Sequence, residues 1–124
     1  MAKLSEEAKK IIGEISPAQV ATVSKDGKPN VSPKGSFRVV DDEHVAFADV
    51  RSPRTIANLR ENPRVSVIVF DAAHRRGCRI WGKAEILERG DLYDAFQAQF
   101  QPRNIKINCA VKIAVEEEAI ISVG

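Results

Sequence analysis

The strict alternation of apolar and polar residues near the end of the chain is the sequence feature that most limits the fold. Apolar residues occupy every second position in the series Ile105, Ile107, Cys109, Val111, Ile113 and Val115. Successive side chains of a β-strand point to opposite faces, so this period of two predicts a long strand with one buried face. The run Glu116–Glu118 then predicts a charged turn or bulge before a closing segment over residues 119–123.

Five earlier segments also have the composition of strands. They cover residues 19–24, 31–40, 44–49, 65–70 and 78–88. The pair Asp26-Gly27 predicts a tight hairpin between the first two. Apolar spacing and capping residues predict three short helices, over residues 5–15, from Pro53 to Asn62, and between Gly90 and Gln101. The expected fold is therefore mainly β, a six-stranded antiparallel barrel flanked by about three short helices in one domain, residues 1–124.

The segment Asp49–Pro63 predicts an anion site at the start of the second helix. Ser52 is a favoured N-cap and Pro53 suits the first helical position. Arg54 and Thr55 then lie beside backbone N–H groups that have no partner within the helix. Free N–H groups, the helix dipole, a guanidinium and two hydroxyls favour a phosphate. An ordinary capped helix with a surface arginine is the alternative.

Two strands carry polar faces that suggest ligand contacts. In the second strand, Ser32, Lys34, Ser36 and Arg38 alternate with Val31, Pro33, Gly35, Phe37 and Val39. Proline and glycine weaken a strand, so this segment is a bulge or a place where a ligand approaches the backbone, or else a solvated edge strand.

In the strand over residues 78–88, Arg79 and Trp81 lie on the polar face, beside Gly82. Such a tryptophan indicates a partner surface or a stacked planar ligand, or else packing beneath a helix. A small barrel encloses little volume, so we expect a cofactor to bind outside it and a second copy of the chain to cover it.

The composition argues against several other classes of protein. Lys+Arg 19 against Asp+Glu 17 leaves a net charge of only +2, without a basic block, so no nucleic-acid partner is expected. No apolar run has the length of a secretory signal or a membrane span, and the expected location is cytoplasmic. Cys78, Cys109, His44 and His74 are isolated from one another, so no metal site is expected.

The order and spacing of several short motifs resemble the FMN-binding split-barrel family related to pyridoxamine 5′-phosphate oxidase. The matching motifs are Ala21-Thr22-Val23-Ser24 with Asp26-Gly27, Val31-Ser32-Pro33-Lys34-Gly35, Ser52-Pro53-Arg54 with Asn58-Leu59, Asn62-Pro63-Arg64-Val65-Ser66-Val67, and Gly82-Lys83-Ala84. The resemblance covers the chain from about Ile15 to Ile121. It implies a split β-barrel with Greek-key topology.

In that family FMN lies in a groove between the two subunits of a homodimer, with one strand along the flavin ring and one loop around the phosphate. The resemblance implies a cofactor site made of Ser32, Pro33, Lys34, Gly35, Ala48, Asp49, Ser52, Arg54, Thr55 and Asn58. To these we add Arg79 and Trp81 as contributors to the partner's flavin pocket. Lys34 is expected to stabilise negative charge on the reduced flavin.

Two functional hypotheses follow from the resemblance. The first is an FMN-dependent oxidoreductase with an unknown substrate or electron partner. The second is a flavin carrier or a dimeric binding scaffold, because no side chain is clearly placed as a general acid or base. Relatives that bind a deazaflavin or haem use similar barrels and are further alternatives. Pyridoxamine 5′-phosphate is not the expected substrate, because Phe37 stands where true oxidases have a lysine and the basic residues near their C-terminus are missing.

Overall fold

A computed structural model describes residues 2–123, in which three helices pack on seven strands. The helices are α1 (Glu6–Glu14), α2 (Pro53–Glu61) and α3 (Asp91–Phe100), and a short 3₁₀ turn, Gln101–Arg103, follows α3. The strands are β1 (Ala18–Val23), β2 (Pro29–Lys34), β3 (Arg38–Asp41), β4 (His44–Asp49), β5 (Arg64–Asp71), β6 (Arg76–Leu87) and β7 (Cys109–Ser122). The prediction of a mainly β chain with three helices is confirmed.

The sheet closes on itself because its two outermost strands are neighbours in the chain. The strand order is β2-β1-β5-β6-β7-β4-β3, and every neighbouring pair is antiparallel. Only the residues 35–37 connect the edge strand β2 to the opposite edge strand β3. Four Cα–Cα steps span at most about 15 Å, so the two edges must approach each other there. A barrel with a split between β2 and β3 results.

Strand β4 is buried on both of its faces. Val45 and Phe47 point into the barrel, where they pack in the main apolar cluster. Ala46 and Ala48 point the other way, into a second cluster with Phe96 of α3. Burial on two sides explains why this strand is a continuous apolar run rather than an alternating one. The same burial holds the end of β4 in place, and the chain leaves the sheet there and leads to α2.

The second strand differs from its prediction. The sequence predicts one strand to Val40, with at most a bulge near Gly35 and with Val31 and Phe37 on one face, but the strand is interrupted at residues 35–37. Val31 is 63% exposed, whereas Phe37 is buried. Gly35 lies within the connection between the two sheet edges, and the alternation restarts after the turn. This break turns six predicted strands into seven.

The last strand begins at Cys109 rather than at Ile105 as predicted, and the charged run after Val115 contains a bulge, which is one of its two predicted alternatives. β7 runs without interruption from Cys109 to Ser122, and its register with β6 shifts between Trp81 and Gly82. A Cβ atom on Gly82 would lie 2.3 Å from the carbonyl oxygen of Ala114. The glycine therefore accommodates the backbone of β7. It also borders a depression beside Trp81, where a ligand or partner contact stays a prediction.

Candidate functional site

The start of α2 presents several donors that nothing in the described chain uses. Ser52 is the N-cap residue and Pro53 follows it, as predicted, but the Ser52 side chain makes no capping hydrogen bond. The first-turn N–H groups that have no partner within the helix are therefore free to donate to a ligand. A shallow pocket of about 240 Å³ lies here, lined by Arg51, Arg54 and Thr55 among others. These donors make the start of α2 a candidate anion site, which is called the anion site below.

A larger groove of about 500 Å³ continues from this pocket. The two share Arg51 and Ser52 in their walls. One side of the groove is the stretch from Pro33 to Ser36, at the break between β2 and β3, together with Ala48 and Val50. The other side comes from the end of α3 and the 3₁₀ turn. A volume of this size is within the range of roughly 300–1,000 Å³ that is usual for small-molecule sites.

Lys34 is a buried cation at the junction of the pocket and the groove. It is 7% exposed, and its Nζ donates a hydrogen bond to Ser52 Oγ. The Ser52 hydroxyl lies 3.4 Å from that of Ser32. Nζ also lies 5.4 Å from the centre of the Phe47 ring. The polar face predicted for the second strand thus points toward the anion site, while β2 is at the same time an edge strand.

Asp49 lies behind Lys34 rather than in the wall of the groove. Its side chain is 2% exposed, and Oδ1 is 3.7 Å from Lys34 Nζ, which is an ion-pair distance but too long for a hydrogen bond. Oδ2 accepts a hydrogen bond from Asn108 Nδ2 at 3.2 Å. Asn108 Nδ2 also lies 3.0 Å from the carbonyl oxygen of Val50. Asn108 therefore fixes the carboxylate from the segment just before β7.

Burial and charge act in opposite directions on Lys34. Burial lowers the pKa of Lys34, and the nearby Asp49 carboxylate opposes part of that change. Burial also raises the pKa of the Cys109 thiol to about 11, so this neighbour is neutral near pH 7. Asp49 is thus the anion that favours the charged form of Lys34.

Two of the predicted ligand residues use their side chains within the fold. Asn58 is buried in α2, and its Nδ2 donates to Thr22 Oγ1 at 3.0 Å, which ties the helix to β1. Thr55 is buried as well and accepts a hydrogen bond from Asn30 Nδ2 at 3.3 Å. Thr55 still borders the pocket at the helix start, whereas Asn58 borders a different depression beside the β1–β2 turn.

Arg79 and Trp81 lie apart from the groove within one chain. Both are on the outward face of β6, with the Arg79 guanidinium 5.8 Å from the centre of the Trp81 ring. Trp81 borders a separate depression of about 340 Å³ together with Val23 and Ser66. Exposed Val31 lies in the same row across the sheet, because Val31 pairs with Ala21, Ala21 with Ser66, and Ser66 with Trp81. This sheet face exposes an apolar side chain, and the residues that line the depression beside Trp81 all come from strands.

Sequence reasoning missed the residues that close the groove on its α3 side. These are Gln99, Phe100, Arg103 and Ile105, and Arg51 was missed at the junction with the pocket. The Arg103 guanidinium lies 5.7 Å from the centre of the Phe100 ring. The apolar pattern of the third helix did not predict this role, because the role depends on where the end of α3 lies relative to the groove in the folded chain. Arg51, next to Ser52, could have been found from the charge around the helix start.

The described residues also bear on two other kinds of site. In residues 2–123 there is no group of three or more His, Cys, Asp and Glu side chains arranged to hold a metal ion. Over the same range, every helix is too short or too polar to span a bilayer.

Comparison with known proteins identifies the family. The family model described as pyridoxamine 5′-phosphate oxidase matches residues 4–121. The crystal structure of HupZ from Group A Streptococcus is similar with a TM-score of 0.88 and 30% identity, over 98% of this chain and 96% of that one. An FMN-binding protein from Syntrophomonas wolfei has a TM-score of 0.83 at 18% identity, over 96% and 86% of the two chains. An F420 reductase has a TM-score of 0.75 at 21% identity, over 94% and 98%.

A curated relative matches over a shorter length. An uncharacterized protein of Methanocaldococcus jannaschii is 41% identical over 68 residues, which is 52% of this chain and 44% of that protein. The match therefore spans less than half of the relative. The family model, in contrast, covers nearly the whole chain, and HupZ covers it at 30% identity. The chain belongs to the pyridoxamine 5′-phosphate oxidase family of FMN-binding split barrels.

Proposed function

We propose that this protein is an FMN-dependent oxidoreductase that works as a cytoplasmic homodimer on a small molecule or an electron partner. The observation that carries the proposal is the continuity between the anion pocket at the start of α2 and the larger groove beside the β2–β3 break. FMN has the same two parts, a phosphate and a flat ring, joined by a flexible chain. When bound, it supplies the redox chemistry that the side chains lack.

The donors present fit this cofactor. Arg54, Arg51 and the first-turn N–H groups of α2 are expected to bind the phosphate, with the hydroxyls of Ser52 and Thr55 beside them. The segment from Ser32 to Gly35 is expected to lie along the ring. Gly35 is exposed at the split in the barrel, where its backbone is open to a ligand. Ala48 adds an apolar contact in the wall of the groove.

The homodimer is supported by the sheet face around Trp81. This face exposes Val31, and its depression beside Trp81 is lined by strand residues. A second copy of the chain on this side would bury the apolar groups and bring Arg79 and Trp81 near the partner's groove. The remaining space on the α3 side, with Phe100 and Arg103, is expected to receive the substrate. The two cysteines are free and buried, as in a reducing compartment.

The first test is flavin retention. The purified protein is incubated with excess FMN, unbound ligand is removed, and the visible spectrum is recorded. We expect a flavin spectrum for the wild type and at least a tenfold loss of FMN affinity for Arg54→Ala, because a hydrogen bond to a charged group is lost.

Arg60→Ala is the matched control for this test. Arg60 lies on the same helix and is exposed, with its guanidinium 3.8 Å from Glu88 and away from the pocket. It should retain FMN like the wild type. Equal retention by Arg54→Ala would exclude the proposed phosphate site, and a wild type that retains no flavin would exclude the proposed function.

A flavin carrier is the second candidate. The side chains that line the groove include no carboxylate and no histidine, so the described residues offer no evident general acid or base besides lysine and arginine. Reduction of the bound flavin by a nicotinamide cofactor, followed by oxidation with a defined acceptor, distinguishes turnover from carriage. The likeness to an F420 reductase makes a deazaflavin the second cofactor to try in the same assay, and haem the third.

A further inference from the structure

The ammonium group of Lys34 has unused hydrogen-bonding capacity at the start of α2. An ammonium has three N–H donors. Among residues 2–123, Ser52 Oγ is the one hydrogen-bond acceptor that Nζ reaches. A charged group that is more than nine-tenths buried normally has its donors satisfied. The unsatisfied donors lie next to the N-cap of a helix that lacks a capping bond.

Asp49, on the other side of Lys34, also has an atom without a hydrogen-bond partner. Its Oδ1 is fully buried and accepts no hydrogen bond, although Asn108 satisfies Oδ2. The ammonium lies between this oxygen, at 3.7 Å, and the Ser52 hydroxyl. The other charged or titratable groups around this region are Cys109 from β7, Arg51 and Arg103 in the groove, and Arg54 in the pocket at the start of α2. Asp49 is therefore the anion closest to Lys34 in the described chain.

We propose that Lys34 is a buried ligand of the phosphate group at the start of α2, and that Asp49, held by Asn108, keeps Lys34 protonated. This inference rests on the proposed FMN site and changes the role expected for Lys34. The sequence placed its charge against the flavin ring, whereas Nζ lies at the helix N-cap, where the phosphate is expected. Asp49 acts through Lys34 as a positioning residue and does not touch the ligand.

The phosphate role is tested by comparing FMN with riboflavin, which lacks only the phosphate. We expect Lys34→Met to reduce the ratio of the riboflavin dissociation constant to the FMN dissociation constant by at least about tenfold. Lys28→Met is the matched control, since Lys28 is an exposed lysine just before the same strand. It should leave the ratio unchanged. If Lys34→Met fails to fold, Lys34→Met/Asp49→Leu, which removes both charges, serves in its place.

The role of Asp49 is tested in the ligand-free protein by following the ¹⁵N signal of Lys34 Nζ against pH. Asp49→Asn should move the deprotonation of Lys34 to lower pH, because the opposing carboxylate is gone. The FMN affinity of Asp49→Asn should fall over the same pH range. Lys34→Arg/Asp49→Asn should show no such fall, because arginine keeps its proton.

The outcomes separate the inference from the proposed function. If FMN binds but Lys34→Met leaves the ratio unchanged, Lys34 is not a phosphate ligand and the FMN site stands without it. An unchanged titration of Lys34 in Asp49→Asn overturns the role of Asp49. If the wild type binds neither flavin, the proposed function fails, and inorganic phosphate becomes the probe. A shift of the Nζ signal with phosphate then supports the inference, and its absence overturns it.

Discussion

The two walls of the anion site are built in opposite ways. The outer wall is four consecutive residues, Arg51 to Arg54, most of them exposed. The inner wall is made of the buried residues Lys34, from β2, and Asp49, from β4, and the exposed Asn108 before β7 holds the Asp49 carboxylate. Replacing an exposed residue of the outer wall should change the free energy of unfolding little. Replacing one member of the buried ion pair in the inner wall should lower it strongly, because the other charge is left buried without a partner. Four predictions test this contrast.

The largest effect is expected from Lys34→Met. It leaves the Asp49 carboxylate buried without a cation, so we expect the free energy of unfolding to fall by about 3 kcal/mol. Replacing both partners, in Lys34→Met/Asp49→Leu, should recover most of this loss. Urea unfolding of the wild type, the single variant and the double variant measures these changes in the free energy of unfolding. If the double variant is as unstable as the single one, the cost lies in the lost lysine packing and not in the unpaired charge.

The same lysine should give the protein a characteristic dependence on pH. Its pKa is lowered in the fold, so between that value and the ordinary one of about 10.4 the unfolded chain binds more protons. The free energy of unfolding therefore gains a rising contribution with pH across this alkaline window, and none below it. Subtracting the curve of Lys34→Met from that of the wild type isolates this contribution. A flat difference would show that Lys34 titrates normally.

A smaller effect is expected from Asn108→Ala. The substitution removes the donor to Asp49 Oδ2 and to the carbonyl of Val50. The free energy of unfolding should therefore fall by about 1–2 kcal/mol. Lys106→Ala, an exposed change two residues earlier, is the control and should stay within about 0.5 kcal/mol of the wild type. Chemical denaturation compares the two.

The smallest effect is expected from Ser52→Ala. Ser52 makes no capping bond, but its hydroxyl accepts a hydrogen bond from Lys34 Nζ, so its removal should lower the free energy of unfolding by about 1 kcal/mol. Once Lys34 is replaced, as in Lys34→Met, that hydrogen bond is already gone, and adding Ser52→Ala should cost less than about 0.5 kcal/mol more. Ser5→Ala is the contrasting variant, because Ser5 Oγ accepts from the N–H of Ala8 and donates to Glu118, so its loss of about 1 kcal/mol should be the same with or without Lys34. A cost of Ser52→Ala that is equally large in Lys34→Met would mean that Ser52 caps its helix in solution.

The contrast between the walls also explains what the sequence could and could not predict. The start of α2 depends on neighbouring residues, so Ser52, Pro53 and Arg54 were sufficient to predict it. The strand pattern likewise predicted the barrel, because alternation reports burial directly. The break at residues 35–37 was missed, since alternation of side chains continues on either side of it. The ion pair of Lys34 with Asp49, and the α3 side of the groove, depend on tertiary distances that no local pattern contains.

The prolines of β2 limit how two copies of this chain can assemble. Pro29 and Pro33 lie on the free edge strand of the sheet. Neither has an N–H group, so the edge lacks two of the donors that an added strand would need. Edge-to-edge growth of the sheet, and the aggregation that follows from it, is thereby disfavoured on this side. In the proposed homodimer, the second copy is therefore expected to pack its side chains against a face of the sheet rather than to extend it from β2.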